Sequence, residues 1–182
     1  GEAFVALRAD AAGHARLTDL RQAGSAKAML PRGAATEVVY LNTSGGLTGG
    51  DRLSYRLEVG PGARVLATTQ TAERCYASLA DVAEVDVAIT VGAGGRADWM
   101  PQETIVFDRA ALRRRTVMDL AGGATGLIAE TVVLGRQAMG ETLRQTDLHD
   151  HRMIRRQGAP VWAESLALND AVLAARSSAA LL

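Results

Sequence analysis

The chain has 182 residues, 20 basic and 20 acidic side chains, and a hydrophobic fraction of 48%, which supports a packed core and excludes an intrinsically disordered class. No apolar run reaches the ~18 residues that a membrane-spanning helix needs, and the balanced charge gives no bulk attraction to nucleic acid or an anionic membrane. A single cysteine, Cys75, excludes an internal disulfide framework, and the first residues lack the order of a secretory signal, so a cytoplasmic location is expected.

In chain order, short strands are expected over residues 4–8, 15–20 and 26–30, punctuated by Gly13 and Gly24. Two later stretches alternate with period 2. Leu53, Tyr55, Leu57 and Val59 interleave with Arg52, Ser54, Arg56 and Glu58, and Val85, Val87, Ile89 and Val91 interleave with Glu84, Asp86, Ala88 and Thr90. Each pattern describes a strand with one face in a core. Residues 71–80 carry helix formers and predict one or two helical turns, and Asn169 caps a predicted Ala-rich helix over 171–176. The last six residues end inside an apolar element with no stop signal.

The chain also resembles itself. Val59-Gly-Pro-Gly-Ala-Arg64, Val91-Gly-Ala-Gly-Gly-Arg96 and Leu120-Ala-Gly-Gly-Ala-Thr125 share one plan, with spacings of 32 and 29 residues between their starts. Each turn leads into an apolar strand that ends in polar residues: Thr69-Gln70, Gln102-Glu103 and Glu130-Thr131. The expected fold is mainly β: stacked, elongated sheet layers built from repeated hairpins, with one or two short helices and the polar strand ends lined up along one edge.

Candidate chemistry is sparse. The Gly-rich stretch Asn42 to Asp51 lacks the Gly-Lys-Ser/Thr of a P-loop and leads into an alternating strand, so it describes a tight turn with close backbone approach, or a binding edge, in preference to a phosphate cradle. His149 and His151 share one face of an expected strand, beside Asp147 and Asp150, but two histidines do not close a metal site. No Gly-x-Ser-x-Gly elbow is present, and Cys75 has no histidine near it in sequence; a small buried hydrophobe is its simplest description. Arg113-Arg114-Arg115 is expected on a solvated strand face.

Four segments together resemble the UreD (UreH) family of urease accessory proteins: Tyr40-Leu-Asn-Thr-Ser-Gly-Gly-Leu-Thr-Gly-Gly-Asp51, Ala67-Thr-Thr-Gln-Thr-Ala-Glu-Arg-Cys-Tyr76, Trp99-Met-Pro-Gln-Glu-Thr-Ile-Val-Phe-Asp108 and Gly135-Arg-Gln-Ala-Met-Gly-Glu141. The resemblance covers nearly the whole chain and implies a single, largely β domain over residues 1–182 that lacks the C-terminal portion of the family. It implies a scaffold and metallochaperone without catalytic activity, which joins UreF-like and UreG-like partners with apo-urease for nickel insertion and holds nickel only transiently. By motif match, Gly45, Gly46, Gly49, Gly50 and Asp51, then Thr69, Gln70, Arg74 and Tyr76, then Gln102 and Glu103, then Arg136 and Glu141, are the partner-binding or nickel-path residues.

Joined to the aligned strand ends, the resemblance makes Asp51, Glu103, Glu130 and Glu141 the lining of an acidic nickel path. Its oxygen ligands would release the metal more readily than a Cys/His cage. Asp51, Glu103, Glu141, His149 and His151 are the candidates for direct metal contact. A β-rich hydrolase using a carboxylate pair or Cys75, and a plain β interaction domain without metal, are the competing readings.

Overall fold

The computed structural model describes residues 1–33, 35–136 and 139–179, with side chains through residue 174. Fifteen strands and one helix are found there. β1 (Glu2–Ala9) and β2 (Ala15–Ala23) form an antiparallel hairpin, followed by β3 (Ala26–Met29) and β4 (Glu37–Asn42). Three coils of three strands come next: β5 (Arg52–Val59), β6 (Arg64–Thr69) and β7 (Glu73–Cys75); β8 (Ala83–Val91), β9 (Arg96–Trp99) and β10 (Thr104–Val106); β11 (Ala110–Leu120), β12 (Thr125–Ile128) and β13 (Val132–Leu134). A second hairpin, β14 (Thr146–Arg156) with β15 (Ala159–Leu168), leads to helix α1 (Asp170–Ala179), whose N-cap is the expected Asn169: its Oδ1 accepts the Val172 amide at 3.1 Å.

Equivalent strands of successive coils stack into three sheets, in the orders β15-β14-β11-β8-β5-β1-β2, β12-β9-β6-β4-β3 and β13-β10-β7. The mainly β, layered fold is as expected, but the repeated unit is a solenoid coil and not a hairpin. Each Gly-rich turn carries the chain from one sheet to the next, so β5, β8, β11 and β14 pair in parallel. The register places Val59 beside Val91 and Val91 beside Leu120, which reproduces the 32- and 29-residue spacings. The corners are also pinned to one another, through Gly62 N to Ala93 O at 3.0 Å and Gly94 N to Gly122 O at 3.2 Å.

Residues 71–80 form β7 over Glu73–Cys75 followed by bends, in place of the expected helical turns. Backbone pairing of Glu73, Arg74 and Cys75 with Thr104, Ile105 and Val106, together with burial of Cys75, outweighs the modest helix propensity of this stretch.

The solenoid interior changes character along its length. In β5 and β8 every inward residue except Tyr55 is aliphatic: Leu53, Leu57 and Val59, then Val85, Val87, Ile89 and Val91, all buried. One register row runs Leu53, Val85, Arg114, Asp150 and the next runs Tyr55, Val87, Thr116, Arg152. The first two coils therefore contribute hydrophobic burial, about 1.5 to 3 kcal/mol for each large side chain, whereas the third coil and β14 place charges inside. The Arg113-Arg114-Arg115 run is split accordingly: Arg113 and Arg115 lie on the outer face, as expected, and Arg114 points inward, buried, because side chains alternate across a strand.

Candidate functional site

Two glycines of the first motif, Gly46 and Gly49, are explained by packing, whereas Gly45 and Gly50 have open space and a positive φ. A Cβ at Gly46 would run into the Tyr76 ring and lie 2.7 Å from the Arg74 carbonyl oxygen; one at Gly49 would meet the Ser78 hydroxyl and lie 2.5 Å from the Asp81 carbonyl oxygen. The loop is laced to the second motif by Leu47 N to Arg74 O at 2.7 Å and Tyr76 N to Leu47 O at 2.8 Å. Asp51 caps this turn, its Oδ2 accepting the Thr48 amide at 2.8 Å. Close backbone approach is what Gly46 and Gly49 provide, as the sequence indicates.

Tyr76 is also where the other two motifs arrive. Its ring meets Phe107 edge-on at 5.0 Å, and the Arg136 guanidinium lies 4.5 Å over the Phe107 ring. Glu141 accepts the Arg136 amide at 3.0 Å and its Nε at 3.1 Å, and also the Asp108 amide at 3.4 Å; Asp108 in turn accepts the Arg144 and Gln145 amides at 2.7 and 3.0 Å. Those amide bonds hold the Asp108 carboxyl below its ordinary range. Tyr76, Phe107, Arg136, Glu141 and Arg144 thus line one surface groove of about 500 Å³. Gln137 and Ala138 of the fourth motif lie outside the described residues.

The aligned polar strand ends are present at the corner between the second and third sheets. Gln102 N donates to Thr69 Oγ1 at 3.0 Å, Glu73 N to Glu103 O at 2.9 Å, and Thr104 N to Thr131 O at 2.9 Å. Gln70 and Gln102 are exposed and Glu103 is half-buried. Glu130 turns inward into a buried ionic cluster that the sequence does not reveal. Its Oε1 accepts Trp99 Nε1 at 2.8 Å and Thr116 Oγ1 at 2.9 Å, and its Oε2 accepts Arg152 Nε at 2.6 Å.

Arg114 grips Asp150 with two bonds of 3.0 and 2.5 Å and donates a third to Thr104 Oγ1 at 2.8 Å. Arg152 reaches Asp150 and, at 2.8 Å, the half-exposed Glu164. Burial acting alone would raise the Glu130 pKa, but the Arg114 charge and the bonds from Arg152, Trp99 and Thr116 bring it below the ordinary carboxylate value.

Glu73 stands apart from that cluster. It lines a small, partly open and mostly apolar cavity of about 40 Å³ that Thr69, Gln102, Thr104, Arg114 and Glu130 also reach, and its carboxylate accepts Asn42 Nδ2, at 3.1 and 3.3 Å, with the Arg74 amide and charge acting on it as well. Burial pushes its pKa up, opposed by the Asn42 bond and by the amide and charge of Arg74. Sequence reasoning misses Glu73 because its neighbours suggest a helix.

His149 and His151 do share a strand face, but it is the outer one. His149 Nε2 lies 3.2 Å from Asp147 Oδ1 and His151 Nδ1 lies 2.8 Å from Ser165 Oγ, with Arg113 and Arg115 beside them in register. Among the described residues no group of three or more His, Cys, Asp or Glu side chains is placed to hold a metal ion.

Cys75 is fully buried, and desolvation, reinforced by Glu73 and Asp51, pushes its thiol up to about 12. A thiol held protonated is a poor nucleophile. Native protein at pH 8 is therefore expected to resist alkylation by iodoacetamide and to react as fast as a free thiol once unfolded in urea; equal rates in both states, followed by mass spectrometry, would show an accessible thiolate.

No described helix is long and apolar enough to cross a membrane. A family model described as UreD urease accessory protein matches residues 1–182. A protein named urease accessory protein UreD from Cereibacter sphaeroides (strain ATCC 17025) is 60% identical over 184 residues, covering 100% of this chain and 66% of its own length. Proteins of the same name from Paracoccus denitrificans and Rhizobium rhizogenes are 52% identical over 159 residues and 47% over 184, covering 86% and 100% of this chain. The chain spans 57% of the length of the first of these two and 67% of the second.

Proposed function

The chain belongs to the UreD urease accessory protein family, and from that premise we propose that it acts as a scaffold and metallochaperone without catalytic activity of its own, joining UreF-like and UreG-like partners with apo-urease for nickel insertion. The observation that carries this reading is the convergence of four separate sequence motifs on one groove: Gly46 against the Tyr76 ring, Phe107 edge-on to it, Arg136 stacked over Phe107, and Glu141 fixing Arg136. Tyrosine and arginine presented together on a rigid frame are the residue types that dominate protein–protein binding energy. The groove they line is the proposed seat of a protein partner. The Gly-rich loop is used up in packing against residues 74–81, and it carries no lysine, so nucleotide chemistry is assigned to a partner.

Nickel enters this reading as cargo. The corner residues Thr69, Gln102, Glu103 and Thr104 offer exchangeable oxygen and amide ligands, in keeping with a metal that must be handed on. The test is co-expression of a tagged version with the UreF-like protein of the same organism, followed by size-exclusion chromatography with mass detection. One defined complex is expected, and Arg136→Ala is expected to weaken it by about 30-fold, the effect of losing a hot-spot side chain. Alanine at Glu103 and Glu141 is expected to lower urease activation in the same cells; unchanged activation would remove these two residues from the metal path. Turnover of a hydrolase substrate by this chain alone would overturn the non-catalytic reading.

A further inference from the structure

We propose that the groove beside Tyr76 takes a carboxylate-bearing segment of its protein partner, with Arg109, Arg136 and Arg144 binding the acid and apolar side chains holding the residues around it. The inference rests on the reading of this groove as a partner's seat and adds the chemistry of the occupant. Three arginines and two carboxylates, Asp108 and Glu141, line the groove. Both carboxylates are already engaged by the chain itself. Asp108 accepts the Arg144 and Gln145 amides at 2.7 and 3.0 Å, and Glu141 accepts the Arg136 amide and Nε at 3.0 and 3.1 Å and the Asp108 amide at 3.4 Å.

The guanidiniums are not used up in the same way. Among the described residues those of Arg109 and Arg144 donate no hydrogen bond and form no ion pair within contact distance, and they act on Asp108 only through longer-range attraction. Arg136 gives Nε alone to Glu141 and stacks over Phe107, which fixes the plane of its guanidinium and leaves the Nη groups for a ligand. All three arginines are exposed. Guanidinium groups with free N–H donors bind carboxylates in pairs of parallel bonds, and three positive charges against two engaged negative ones call for an acidic complement.

The backbone under Arg109 is held in place for this role. Its φ is +63°, a conformation that a long side chain seldom adopts, and it is bonded on both sides: its amide donates to the Gln145 carbonyl at 2.9 Å and its carbonyl accepts the Ser78 amide at 2.9 Å. Strain of this kind persists where surrounding structure fixes it, and it gathers at ligand-binding positions.

The rim identifies the occupant as protein. Leu79 is 97% exposed and Met139 76%, more than any other large apolar side chain among the described residues. Both adjoin the groove: Leu79 follows Ser78, whose amide is bonded to Arg109, and the Met139 amide donates to the Arg136 carbonyl at 2.8 Å. Apolar side chains standing in water around a charged centre mark a protein contact. They offer nothing to a free anion or to a sugar-phosphate backbone.

The test combines Arg109→Asn with Arg144→Gln in the complete protein. Asparagine tolerates the left-handed backbone, and both changes keep the main-chain bonds of the groove, so the urea unfolding midpoint is expected to stay at the wild-type value. Affinity for the UreF-like protein of the same organism, measured by calorimetric titration, is expected to fall at least about tenfold in the double variant. Raising the salt from about 50 to about 500 mM is expected to weaken the wild-type complex and to change that of the variant little. A second probe is a labelled peptide in which Glu alternates with Leu, set beside the same peptide with Gln for Glu; wild type is expected to prefer the acidic one at least about tenfold, and the double variant to bind the two alike. Equal binding of both peptides by wild type overturns the proposal, as does a complex whose affinity and salt dependence are unchanged in the double variant. If that unchanged complex is weakened by Arg136→Ala, the groove remains the partner's seat and only the acidic occupant is removed. If the acidic peptide is preferred but no complex with the UreF-like protein forms, the carboxylate-binding groove stands and the named partner is removed.

Discussion

Replacing Asp150 by alanine is expected to lower the free energy of unfolding by about 3 to 5 kcal/mol, the cost of breaking a buried ion pair from one side. Asp150 is fully buried and shared by Arg114, at 3.0 and 2.5 Å, and Arg152. Without it, two guanidiniums remain inside against one buried carboxylate, Glu130, and a half-exposed one, Glu164. For a domain whose total stability is about 5 to 15 kcal/mol, the variant sits close to the edge of folding.

Arg114 and Asp150 are register partners on adjacent parallel strands, so the pair can be removed together. Arg114→Met with Asp150→Leu leaves Arg152 balanced by Glu130 and Glu164, and fills the space with apolar volume. The double variant is expected to recover most of what Asp150→Ala loses, because well-packed hydrophobic residues are often as stable as a buried ion pair. Urea unfolding of the three proteins decides this. A loss below about 1 kcal/mol in Asp150→Ala would mean that water reaches the cluster and screens it.

The same residues explain which parts of the fold can be seen in the sequence. β5 and β8 are legible because their inward positions are apolar and their outward ones polar, the pattern that period-2 alternation detects. β11 and β14 are not, since Arg114, Thr116, Asp150 and Arg152 occupy inward positions and erase the contrast. The only trace they leave is the placing of opposite charges 36 residues apart, Arg114 and Asp150, close to the repeat length set by the glycine corners.

Those corners carry the 32- and 29-residue spacings, yet a Gly-rich turn has the same composition whether it closes a hairpin or rounds a solenoid corner. What separates the two is where the next strand finds its hydrogen bonds, a long-range property. The helix expected over 71–80 fails for a related reason: Glu73 to Cys75 pair with β10, some 31 residues away, and local propensity carries no information about that partner. Glu73 is missed with it. Tyr76, Arg136 and Glu141 are found through motifs, although nothing local to any one motif indicates that all of them meet at one groove.

Gly46→Ala is expected to cost about 3 kcal/mol or more, from backbone strain and steric overlap together, and to lower the melting temperature by about 6 to 12 °C in a chain of this size. Gly46 adopts φ +149°, a conformation that L side chains rarely take, and its missing Cβ leaves the space filled by the Tyr76 ring and the Arg74 carbonyl oxygen. The Leu47 N to Arg74 O bond of 2.7 Å fixes the separation of the two segments, so neither backs away cheaply.

The neighbouring Gly45 provides the contrast. It has φ +82° but nothing within 4 Å of the point where a Cβ would lie, so Gly45→Ala carries the backbone term alone, about 1 to 2 kcal/mol. Adding Tyr76→Ala to Gly46→Ala removes the ring and not the carbonyl, and part of the lost stability should return. Because the motifs meet beside Tyr76, Gly46→Ala should also weaken capture of the proposed UreF-like partner while Gly45→Ala leaves it near wild type. Equal melting temperatures for the two single variants would show that the loop relaxes away from residues 74–76, and the glycine motif would then owe its composition to turn geometry alone.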